Sequence, residues 1–86
     1  MTMTLTTTAF EIQDKIRGVL PQEYTIVDAG MFLPDGTETE LWRDMTIEVP
    51  ADEREYSFSY STDGNLKGEV PPRLVLSVAA ILNQYK

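Results

Sequence analysis

The chain contains no cysteine and no histidine, and each absence removes a class of chemistry. Without cysteine there is no disulfide framework and no thiolate zinc site, which fits a reducing compartment. Without histidine the commonest general base and metal ligand is missing. There is no run of about 18 apolar residues to span a bilayer. The first residues have neither the basic nor the apolar region of a secretion signal, so a cytoplasmic protein is expected. Bases are scarce: seven Lys and Arg stand against 14 Asp and Glu, a net charge of −7. That excess repels phosphate backbones and anionic membranes, so neither direct nucleic-acid binding nor membrane binding is expected. The same field speeds encounter with a basic protein.

Catalytic and ligand-binding patterns are equally thin. The five glycines stand singly at Gly18, Gly30, Gly36, Gly64 and Gly68 and build no phosphate loop. Asp63-Gly64-Asn65 lacks the further oxygen ligands and closing Glu of a calcium loop and reads as a turn. A serine or threonine nucleophile needs an adjacent base, and only Lys15, Lys67 or Lys86 could serve; none lies near a nucleophile-elbow sequence. Paired acids such as Glu38 with Glu40 act in catalysis or metal binding only where a pocket or converging oxygens support them, and the sequence shows neither. The expectation is a non-catalytic protein with no cofactor and no metal.

What is present is the pattern of one small α+β domain of 86 residues. Met1 to Thr7 reads as a disordered Thr-rich lead-in. Thr8-Ala9-Phe10-Glu11 has the spacing of a capping box, and a helix is predicted from about Ala9 to Val19, ended by Gly18 and Pro21. Its apolar stripe is Ile12, Ile16, Val19 and Leu20, with Ala9 or Phe10 one turn earlier; Glu11, Gln13, Asp14, Lys15 and Arg17 face water. Period-two patterns follow at Tyr24 to Leu33, Thr37 to Val49 and Glu55 to Ser61, linked by Pro34-Asp35-Gly36 and by the polar break from Pro50 to Arg54. Leu66 to Val70 is a short edge strand or a loop. A last helix starts near Pro72, where proline suits the first turn. Its buried stripe is Leu74, Val78, Ile81, Leu82 and Tyr85, widened by Val75 and Ala79, while Leu76 and Ala80 carry apolar character round the side.

Short links between successive strands make an antiparallel meander of three to four strands, in the order αβββ(β)α, with both helices on one face. Tyr56, Phe58 and Tyr60 should face the helices, or else a partner. The open face should hold Trp42, Asp44, Thr46 and Glu48 beside the serines of the third strand. Between residues 38 and 55 there are seven acids, Glu38, Glu40, Asp44, Glu48, Asp52, Glu53 and Glu55, against two bases, Arg43 and Arg54, so most of the net charge lies here. This acidic middle is the candidate surface for a basic protein partner, with Trp42 and the adjacent Arg43 as anchors of the kind interfaces favour; the alternative for Trp42 is that it packs under a helix or loop. A solvated surface is the plain alternative. Leu76 and Ala80, off the main stripe, are candidates for contact with a second copy or a partner, which leaves a homodimer open.

The early helix ending in Val19-Leu20-Pro21-Gln22-Glu23-Tyr24, the strand Ala29-Gly30-Met31-Phe32 before a turn, the aromatic strand Tyr56-Ser57-Phe58-Ser59-Tyr60 followed by Asp63-Gly64, and the proline-led last helix together resemble the small acidic immunity proteins of bacterial toxin systems, in particular the YezG-like antitoxin family. The resemblance covers most of the chain in order. It implies a helix, an antiparallel meander and a closing helix, and a non-catalytic inhibitor that binds a toxin; it transfers no individual binding residue. Two alternatives stand beside it: a phage-type inhibitor that mimics nucleic acid, and a structural subunit that dimerises through its last helix.

Overall fold

The computed structural model describes residues 5–32 and 41–86, without the side chains of Met31 and Phe32. The first element is helix α1, Leu5–Val19. Four antiparallel strands follow, β1 (Thr25–Phe32), β2 (Trp42–Val49), β3 (Arg54–Ser61) and β4 (Leu66–Gly68), in the spatial order β1-β2-β3-β4. Helix α2, Val75–Asn83, closes the chain after a 3₁₀ turn at Pro72–Leu74. This is the expected α+β meander, and its fourth strand is real though only three residues long.

The core forms where α1 and α2 lie against one face of the sheet. Ile12 and Ile16 of α1, Met45 and Ile47 of β2, Tyr56, Phe58 and Tyr60 of β3, and Val78 and Leu82 of α2 make one buried cluster. The β3 alternation selects its side as expected. Tyr60 is fully buried, and its hydroxyl donates to the Ala9 carbonyl at 3.0 Å, which ties β3 to α1. Burial pushes the Tyr60 phenol well above its usual range. Among the surface contacts, Tyr85 joins the two helices by donating to Glu11, and Lys15 donates to Gln84 at 2.8 Å.

Several details depart from the sequence reading, among them Val19, which is exposed rather than part of the α1 stripe. Leu5, Thr6 and Thr7 belong to α1 rather than to a disordered lead-in, and residues 1–4 of that lead-in lie outside the described part. Once the turns from Ala9 to Ile16 are packed, each added residue needs no new nucleus, so weak threonine propensity does not stop the helix. Gln13 is buried rather than facing water, and its Oε1 has no hydrogen-bond partner among the described residues. The α2 stripe is narrower than expected: Leu74, Val78, Ile81 and Leu82 are buried, but Val75 and Ala79 are exposed. A nine-residue helix on a small sheet beside a second helix can bury only one narrow face. Finally, β1 carries a bulge. Its register against β2 shifts between Ile26 and Asp28, so Val27 is the extra residue, and the alternation on either side of it is out of phase.

Candidate functional site on the open sheet face

The sheet face away from the helices is built from the alternate positions of the same strands. On β2 these are Trp42, Asp44, Thr46 and Glu48. Their cross-strand neighbours on β3 are Ser61, Ser59, Ser57 and Glu55. After the bulge β1 adds Asp28, opposite Thr46, and Gly30, opposite Asp44. From β4 comes Lys67, opposite Ser59. The Ser59 hydroxyl donates to Asp44 Oδ1, and the Thr46 and Ser57 hydroxyls lie 2.9 Å apart. A cleft of about 370 Å³ crosses this face, lined among others by Asp28, Asp44, Thr46, Ser57, Ser59 and Lys67. A larger hollow, about 540 Å³, runs along the solvent side of α1 by Thr7, Phe10, Glu11, Asp14 and Lys15. It has no cross-strand hydroxyl and carboxylate array like that of the sheet face, which is therefore the better candidate.

Local structure explains why the face is ordered. The start of β2 is pinned to the end of β3 by two bonds, Leu41 N–H to the Thr62 hydroxyl at 3.1 Å and Thr62 N–H to the Leu41 carbonyl at 3.0 Å. The Ser61 hydroxyl accepts from the Asp63 and Asn65 amides and so shapes the turn into β4. Gly68, at φ +94°, lets β4 approach β3 where a Cβ would lie 2.8 Å from Phe58 Cα. That approach sets Lys67 over the face.

At Trp42 the structure decides between an exposed anchor and a covered side chain. Trp42 stands on the open face as expected, but it is only 8% exposed. The Lys67 ammonium sits over its ring, 4.3 Å from the centroid, a cation–π contact that uses the one base on the face. Trp42 therefore does not protrude as an anchor; its ring holds the Lys67 ammonium, which makes no ion pair with an acid among the described residues. Arg43 does not accompany it. The inward parity of its position buries the side chain on the helix side, with its guanidinium 4.9 Å from the Phe10 ring.

The acids separate in the same way. Asp44, Glu48 and Glu55 share the open face, and Glu53 joins Glu48 and Glu55 around a small hollow at its lower end. Asp52 does not belong to the group: in the 3₁₀ turn Pro50–Asp52 its Oδ2 accepts from the Tyr56 hydroxyl at 2.6 Å, which raises the Tyr56 phenol above its usual range. Glu38 and Glu40 lie outside the described residues. Asp28 joins them from β1, at a register that the bulge hides from the sequence. Arg54, the remaining base nearby, stacks on Tyr56 and pairs with Glu69 at 3.1 Å. Among the described residues none of Asp28, Asp44, Glu48, Glu53 and Glu55 has an ion-pair partner.

Two features of this acidic end work against stability. Glu48 and Glu55 face each other directly across the ladder, and like charges in that position destabilise a sheet. Glu53 adopts the left-handed φ of +53°, a conformation that costs a non-glycine residue about 1 kcal/mol or more. No group of three acids converges as a metal site would require among the described residues, and none of their helices is long and apolar enough to cross a membrane. Comparison of the chain with protein-family models, with curated proteins and with solved structures finds no match.

Proposed function

We propose that the protein is a non-catalytic binding module of the cytoplasm, an inhibitor of the immunity or antitoxin type, whose open sheet face takes a basic protein partner such as a toxin or a nucleic-acid enzyme. The observation that carries this reading is the pairing state of the face: four acids, Asp28, Asp44, Glu48 and Glu55, are presented together while the one base among them, Lys67, is held on Trp42. A field of unpaired carboxylates attracts a cationic surface and sets its association rate more than its final affinity. The tolerated costs at Glu48, Glu55 and Glu53 support the reading, since sequences depart from local stability rules mainly where function requires it.

The test is capture from cells of the source organism with two baits, the natural protein and the double variant Glu48→Lys with Glu55→Lys, followed by binding kinetics against the captured protein. A basic partner should be held by the natural protein at 0.1 M salt, released as salt screens the charges over roughly 3 Å at 1 M, and lost from the variant. The same proteins on both baits, with association independent of salt, would refute it.

A second reading is favoured by α2. Leu76 is 84% exposed and Val75 46%, with Ala79 and Ala80 exposed beside them, an apolar strip that a second copy of the chain would cover. Light scattering on the natural protein and on Leu76→Glu decides it: a dimer that becomes a monomer supports this reading, and a monomer in both excludes it.

A further inference from the structure

The two edges of the sheet differ. The β4 edge is three residues long, carries Lys67 and ends at Gly68. The β1 edge is eight residues long, and among the described residues no backbone hydrogen bond closes it. Sheet proteins normally blunt such an edge with lysine, proline or a bulge. Here the bulge at Val27 guards one end only, and the regular stretch Asp28-Ala29-Gly30-Met31-Phe32 contains neither lysine nor proline. Every second residue of an antiparallel edge strand turns its N–H and C=O away from its neighbour, so this stretch is a template for another strand.

Gly30 gives that edge a specific chemistry. It lies on the open face directly opposite Asp44, and a Cβ built on it would meet nothing within 4 Å. The result is a slot across β1 that leads to the Asp44 carboxylate, with Asp28 on the same strand two residues away. A strand added to β1 would lie about 4.8 Å beyond it and roughly 10 Å from β2. From there only a long side chain crossing the slot reaches Asp44, and the charge at the end of the slot selects a base. A second copy of the chain fits poorly, because each copy brings a charge of −7 and its own Asp28 and Asp44 to the same edge.

From this we infer that the β1 edge binds an extended basic segment of the partner as an added antiparallel or parallel strand, one of whose arginine or lysine side chains crosses Gly30 to Asp44. The inference rests on the acidic-face reading and names how the partner is held. It predicts that main-chain bonding, not only charge, fixes the complex.

The probe is a blocked seven-residue peptide alternating valine and arginine, compared with its glutamate counterpart and with two forms N-methylated on alternate residues, one for each edge of the peptide. Binding is read by calorimetry at 0.1 M salt, and the amides of residues 28–32 by hydrogen exchange. The arginine peptide should bind and slow exchange in 28–32; the glutamate peptide should not bind. One N-methylated form should lose at least about tenfold in affinity and the other retain it. Gly30→Val puts a branched side chain into the slot at a position where a Cβ meets nothing within 4 Å, and valine suits a strand, so its melting temperature should not fall; its affinity for the arginine peptide should drop at least about tenfold. Failure of the arginine peptide to bind overturns the inference. Binding that is lost in Asp44→Asn but indifferent to Gly30→Val and to N-methylation also overturns it, while leaving the acidic-face reading standing. A natural protein that dimerises, and that Gly30→Val renders monomeric, assigns the edge to a second copy and overturns it as well.

Discussion

Glu55 faces Glu48 across the β2–β3 ladder with both side chains exposed, and Glu53 lines the same hollow. Glu55→Lys replaces one repulsive cross-strand pair by an attractive one at a position where neither residue type is favoured by the strand backbone, so the change isolates charge. Cross-strand charge pairs are worth about 0.2–1 kcal/mol in either direction, which puts the full swing at about 0.4–2 kcal/mol. Exposure and side-chain entropy reduce it, leaving about 0.4–1 kcal/mol of added stability. For a domain of this size each kcal/mol moves the midpoint by about 4–8 °C, so the melting temperature should rise by roughly 2–8 °C. Thermal unfolding followed by circular dichroism at 0.1 M and 1 M salt is the assay. The gain should shrink at 1 M, where the screening length falls to about 3 Å. Binding of the captured partner should move the other way, with slower association. A melting temperature that stays level or falls at 0.1 M, or a gain that salt does not reduce, would refute the claim that the acidic end is maintained at a cost in stability.

Val78 is fully buried between α2 and the sheet, so Val78→Asp should place an unpaired charge in the core and unfold the domain; a soluble variant with an unchanged melting temperature would reject that packing. Tyr60 has a folded-state pKa raised by burial, so its contribution is complete below the ordinary phenol value of about 10 and is lost as pH rises through the folded value. Tyr60→Phe should therefore cost about 1 kcal/mol at pH 7, where the Ala9 carbonyl loses its donor, and weaken the alkaline loss of stability seen in melts from pH 9 to 12. Glu11 is shifted in the opposite sense: the Tyr85 hydroxyl and then Lys15 lower its pKa, so its contribution is present above the ordinary carboxylate value and is lost as pH falls through the folded one. Glu11→Gln should flatten the acid limb of a stability curve measured from pH 6 to 2; an unchanged limb would show that the bond between the helices is not formed in solution.

The sequence alone determined the order of the main elements and which side of β2 and β3 is dry. Tyr56, Phe58 and Tyr60 alternate with serines, and Met45, Ile47 and Val49 alternate with Asp44, Thr46 and Glu48, because a strand turns successive side chains to opposite faces and water sorts them locally. The same rule correctly put Trp42, Asp44, Thr46 and Glu48 on one face beside the serines of β3. It failed wherever a side chain's environment comes from chain that is distant in sequence. Trp42 reads equally as an anchor or as a packed side chain until Lys67, 25 positions later, is laid over its ring. Asp52 reads as one of a run of acids until Tyr56 turns it away, and Arg43 as a neighbour of Trp42 until the pleat sends it under Phe10. The register of Asp28 and Gly30 depends on a single extra residue at Val27, which no pattern in β1 announces, because a bulge is defined by the partner strand that it fails to match. Periodicity is a property of one segment, but cover, pairing and register are properties of two, and only the tertiary structure brings the second segment into place.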